Sequence, residues 1–89
     1  MRVQAFDWDS RNVDHIARHS LEPFEVEGAC RREAVIVRGR ERRYLAYGCT
    51  EAGRYLLIVL HAYGGGRIRV ITARDMTDRE RRFYHQRRR

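Results

Sequence analysis

The chain has 89 residues, nineteen basic against twelve acidic, and a formal net charge of +7. That length holds about one domain with a small core. Five Tyr, three Phe and one Trp within a hydrophobic share of 43 % exclude wholesale disorder, and the longest uncharged apolar stretch, Tyr55 to Leu60, is far short of the about 20 residues a membrane-spanning helix needs.

In chain order, Val3 to Trp8 alternates and reads as a short strand with Gln4, Phe6 and Trp8 on one side. The segment Met1 to Asp14 carries acids in an amphipathic pattern, so no secretory signal is expected. Asp9 caps a helix from Ser10 to about His19, with Val13, Ile16, Ala17 and Ser20 as its small or apolar stripe. Arg11, His15, Arg18 and His19 fall on the opposite face. A shorter helix opens at Pro23, with Glu25 in the capping-box position and Leu21 placed to staple onto Val26, and it ends near Cys30.

The middle of the chain is β. Ala34 to Arg38 is a β-branched run closed by Gly39, and Arg43 to Cys49 pairs back across that turn. Thr50 to Gly53 turns the chain into Arg54–Tyr63, the longest apolar run and the expected central strand. Three consecutive glycines, Gly64 to Gly66, form a hairpin tip before Arg67–Arg74; without a following GK[ST] and a helix they make a poor phosphate cradle. Thr77-Asp78-Arg79-Glu80 is a capping box opening a last helix, with Phe83 and Tyr84 facing inward. The order predicts one α+β domain over residues 1–89: an antiparallel meander of about four strands plus a short N-terminal strand, two N-terminal helices and one C-terminal helix.

Every basic residue is Arg, and Lys is absent. A guanidinium fork grips phosphate bidentately where an ammonium offers a point charge. The excess therefore points to a polyanion or acidic protein partner, set against the plainer reading that many Arg pair with the twelve acids. Strand alternation puts Arg67 and Arg69 on one face and Arg74 on the other. Arg74, at a strand end, is placed to hold a phosphate, or else to pair with Asp75, Asp78 or Glu80.

The histidines and cysteines say less. His15 and His19 are spaced i, i+4, yet the zincin Glu is replaced by Ile16 and no third ligand is near in sequence. His19 either contacts substrate or complements its helix end, and His61, inside the most apolar strand, reads as a core or sheet-face residue. Cys30 and Cys49 lack a CxxC companion, which predicts two reduced thiols. An inventory of Arg, His, Glu and Tyr without cofactor or metal suits RNA cleavage by the RNA's own 2′-hydroxyl, which needs a base, an acid and cations around the phosphorane.

Phe6-Asp7-Trp8-Asp9, Asn12 to His19 and Pro23 with Glu25-Val26-Glu27 resemble the opening of the BrnT toxin family. Arg43 to Gly48, Gly66 to Arg74 and Glu80-Arg81-Arg82-Phe83-Tyr84 continue the likeness in order, over nearly the whole chain. The resemblance implies a RelE-like ribonuclease fold, mRNA cleavage that inhibits translation in the cytoplasm, and hetero-oligomer formation with a BrnA-like ribbon-helix-helix antitoxin. It implies Arg74 at the scissile phosphate and His19 as base or acid; by helix spacing Glu80 and Tyr84, one turn apart at i, i+4, are expected as further catalytic residues facing the same cleft. Arg43, Arg67, Arg69 and Arg81 are the expected RNA contacts. Ser20 stands where the family usually has Gly, and Cys49 where it often has Arg. A second expectation, from another class, is a non-catalytic basic module that binds nucleic acid or serves only in complex formation; salt-sensitive RNA binding without cyclic-phosphate products marks it.

Overall fold

The computed structural model describes residues 3–88; Met1, Arg2 and Arg89, the last of the basic tail, lie outside the described residues. The elements are β1 (Ala5–Asp7), α1 (Ser10–Ala17), α2 (Pro23–Arg31), β2 (Val35–Arg38), β3 (Arg43–Cys49), β4 (Tyr55–Gly64), β5 (Arg67–Asp75) and α3 (Asp78–Arg87). One five-stranded sheet runs in the order β1-β5-β4-β3-β2, with β4 at its centre as its apolar run predicts. The meander β2 to β5 is antiparallel, and β1 lies parallel to β5 at the edge. Among the described residues no helix is long and apolar enough to cross a membrane.

The sheet has two unlike faces. Leu56, Ile58 and Leu60 of β4, Ala46 of β3, and Ile68, Val70 and Ala73 of β5 form the main core with Ile16 of α1 and Val26 and Ala29 of α2. The other face carries a smaller cluster, Leu57, Met76 and Tyr84, under α3. That helix covers only one end of its face, so Val37, Val59 and Thr72 stay half-buried.

Local chemistry explains the element ends. Asp9 accepts from the backbone N–H groups of Arg11 and Asn12, and Asn12 Oδ1 accepts from the Asp9 N–H at 2.8 Å. Glu25 Oε1 accepts the Glu22 N–H ahead of Pro23, and Thr77 and Glu80 cap α3 reciprocally. The helix α1 stops at Ala17, two residues short of the predicted end, because Ser20 takes φ 57°. That left-handed backbone suits Gly best, so Ser20 carries some strain there.

The buried stripe of α1 is Asn12 and Ile16, not Val13, Ile16, Ala17 and Ser20; Ala17 and Ser20 are exposed. A buried amide displaces the apolar stripe because Asn12 Nδ2 donates to the carbonyls of Asp7 (2.9 Å) and Val70 (3.0 Å), tying β1, α1 and β5 together. Asn12→Ala strands those groups where water is scarce. It should cost about 2–3 kcal/mol by chemical denaturation, and Asn12→Asp should not restore the loss, since a carboxylate cannot donate to a carbonyl.

Candidate active site

Strand β5 does not alternate evenly. Val59 faces Thr72 while Leu60 faces Val70, so Ile71 is an extra residue, a β-bulge. Arg74 opposes Leu57 and Arg69 opposes His61, residues on the same side of β4. Arg67, Arg69 and Arg74 thus share the face that α3 half covers, and the predicted separation of Arg74 from the other two is overturned by the bulge.

Arg74 and Glu80 meet at the end of that face. Nη1 and Nη2 of Arg74 donate to the two carboxylate oxygens of Glu80 at 2.8 and 2.9 Å, and Nη1 also donates to the Asp75 carbonyl. Glu80 Oε1 accepts the Thr77 N–H, so one carboxylate caps α3 and orients Arg74. The side chains remain 42 % and 20 % exposed. The hydrogen bonds from Arg74 hold the Glu80 carboxyl below the usual carboxylate range, and Glu80 raises Arg74 in turn. Arg74 keeps Nε and one Nη2 hydrogen for another ligand. Beside them the Tyr47 and Phe83 rings pack at a tilt with centroids 4.7 Å apart, and Arg81 lies 4.2 Å over the Tyr55 ring.

The remaining predicted residues are placed differently. Arg54 donates to both oxygens of Asp75 at 3.0 Å and to the carbonyls of His19 and Ser20 at 2.8 Å. Asp75 follows Arg74 and faces the other side of the sheet, so this clamp ties the His19 backbone to the face opposite Arg74 and Glu80. With α1 ended at Ala17, His15 and His19 no longer share a helix. Tyr84, on the inner side of α3, is 1 % exposed and packs on Leu57 and Met76, with Arg88 Nη1 donating to its hydroxyl at 3.4 Å. Arg69 grips Asp9 through two bonds of 3.0 and 3.1 Å and holds its carboxyl down to about 2. Arg43, Arg67 and Arg81 are exposed.

One feature escaped sequence reasoning. Asp7, Arg69, His61 and Arg43 stand directly opposite one another across β1, β5, β4 and β3, a row on the open face. His61 is therefore a sheet-face residue, and among the described residues its buried Nδ1 meets no hydrogen-bond partner. Period-2 counting from the apolar Leu56, Ile58 and Leu60 would have put it on this side. Burial pushes the Cys30 thiol up to about 12, which makes it a poor nucleophile. Among the described residues no three His, Cys, Asp or Glu side chains are arranged to hold a metal ion.

A cavity of about 400 Å³ beside α2, lined by Phe24, Gly28, Thr50 and Ala52 among others, lies away from these cations and is mostly apolar. A comparison with curated proteins gave no match. The family model for the ribonuclease toxin BrnT of type II toxin–antitoxin systems matches residues 8–80, from Trp8 ahead of α1 to the Glu80 that binds Arg74. The frame that holds the Arg74–Glu80 pair is thus a family frame, and the chain belongs to the BrnT family of ribonuclease toxins.

Proposed function

We propose that this toxin is a RelE-like endoribonuclease that cleaves mRNA without a metal ion and so inhibits translation in the cytoplasm. The observation that carries the reading is the Arg74–Glu80 fork: a cation and a carboxylate fixed by a strand end and a helix cap, on an open face, with donors to spare. A scissile phosphate docks on the free Nε and Nη2 hydrogens of Arg74. The 2′-oxygen attacks phosphorus, its proton passes to Glu80, and the bond to the 5′-oxygen breaks. The products are a 2′,3′-cyclic phosphate and a 5′-hydroxyl, protonated by solvent. As Arg74 turns toward the phosphorane it loosens its hold on Glu80, which raises the basicity of the carboxylate when a base is needed. The scheme assigns no step to His19 or Tyr84.

The antitoxin of such a system is, in this proposal, a BrnA-like ribbon-helix-helix protein forming a hetero-oligomer with the toxin. Its acidic segment covers α3 and the Arg-bearing face, the same surface that meets RNA. A non-catalytic reading draws on one observation: Arg69 and Arg74 both have their forks filled by acids, as scaffold arginines do. Incubating purified protein with RNA in EDTA separates the two. Fragments ending in 2′,3′-cyclic phosphate are expected, whereas salt-sensitive binding with intact RNA defeats the catalytic reading.

A further inference from the structure

The turn joining β2 to β3 and the turn joining β4 to β5 meet at one end of the sheet. Arg38 to Arg43 holds four arginines against the single acid Glu41. The two turns are laced: the Ala62 N–H donates to the Arg42 carbonyl at 2.9 Å, and Arg42 Nη1 donates back to the Ala62 carbonyl at 3.4 Å. Within the first turn Gly39 N–H donates to Arg43 O at 2.7 Å, while Glu41 and Arg42 both take left-handed backbone (φ 53° and 62°). These cations are therefore held on a built loop.

Beside them Tyr63 is 45 % exposed, one of few large apolar side chains left open. The Arg67 guanidinium lies 5.3 Å from its ring centroid, and the His61 ring meets it edge-on at 5.1 Å. An open ring with a cation alongside is the pairing on which unpaired nucleobases stack. Among the described residues the buried Nδ1 of His61 has no hydrogen-bond partner.

We propose that this rim, built on Arg43, Tyr63 and Arg67 with His61 at its floor, is a binding subsite for single-stranded RNA flanking the phosphate held by Arg74; the proposal rests on the ribonuclease reading. Rim and fork share one face, and the row of His61 stands four residues along β4 from the row of Leu57 and Arg74. At strand rise that is about 13 Å, a distance a short length of extended RNA covers. Duplex RNA is excluded by the stacking itself, since paired bases present no face to Tyr63. An acidic protein segment satisfies the arginines but gives no use to the open ring.

The probe is a short 2′-O-methyl RNA oligonucleotide, which has no free 2′-hydroxyl to attack, read alongside cleavage of the matching RNA. Tyr63→Ala and Arg43→Gln, both at exposed positions, should keep the wild-type melting temperature and each weaken oligonucleotide binding about tenfold. Arg43→Gln should also lower the salt slope of binding by about one. In cleavage, KM should rise and kcat hold, because neither residue touches the scissile group. An unchanged affinity and KM in the double variant overturn the subsite. So does a double variant that loses affinity only for the antitoxin, which makes the rim a protein-docking surface. Oligonucleotide binding lost in the double variant of a protein that cuts no RNA upholds the rim and sinks the ribonuclease reading instead.

Discussion

On the proposed mechanism, Arg74→Ala should lower RNA cleavage by about a hundredfold or more and largely abolish growth arrest, while the protein stays folded. Removing a positioned cation from a developing phosphorane costs roughly 3–4 kcal/mol of barrier. The structural share of Arg74 is much smaller. Its partner Glu80 keeps the Thr77 N–H and stays partly exposed, so screening limits the pair to about 1 kcal/mol or less. Activity and stability therefore separate cleanly for this substitution. Arg74→Lys restores the charge without the fork and should recover only part of the rate. Cleavage assays and a thermal melt on the same preparations decide the matter: full toxicity in Arg74→Ala, or toxicity lost only through unfolding, returns Arg74 to the scaffold.

Gly48→Ala does the opposite, acting on stability first. Gly48 lies in β3 directly beneath α2, and an added Cβ stands 2.5 Å from the Ala29 carbonyl oxygen and 3.3 Å from the Ala29 Cβ. Neither atom is the tip of a flexible side chain, so the helix must lift away from the sheet. That loosens Val26 and Ala29 from the main core. Overpacking of this kind costs about 3 kcal/mol or more, a large part of the total for a domain this size. A drop of about 15 °C or more in melting temperature is expected. A melting temperature within a few degrees of wild type contradicts the close packing of α2 on β3.

What was legible in the sequence was local. Asp9, Pro23 and Thr77 act within one helical turn, and they set the start of each helix where the structure has it. The run Arg43–Cys49 was readable to the residue because Gly39 and the Thr50–Gly53 turn bracket it. Glu80 was legible only as one of three acids, with Asp75 and Asp78, within reach of Arg74, because a strand end and a cap separate them. The bulge at Ile71 was not, since it exists only in the pairing of β5 with β4. Nor was the burial of Asn12, whose bonds reach 58 residues along the chain. His19 lay beyond sequence reading for the same reason: Arg54, just ahead of β4 and 35 residues along the chain, holds its carbonyl.

The parallel pairing of β1 with β5 has a consequence for how the toxin comes into being. Ala5 must wait for Arg67, and Asp7 for Arg69, so a growing chain leaving the ribosome holds its first strand without a partner until almost the last is made. Contacts this distant in sequence slow folding. Arg74 and Glu80 emerge later still, after every other strand. A nascent chain therefore cannot assemble the Arg74–Glu80 pair until β5 and the first turn of α3 have both emerged, and one terminated before Glu80 never does.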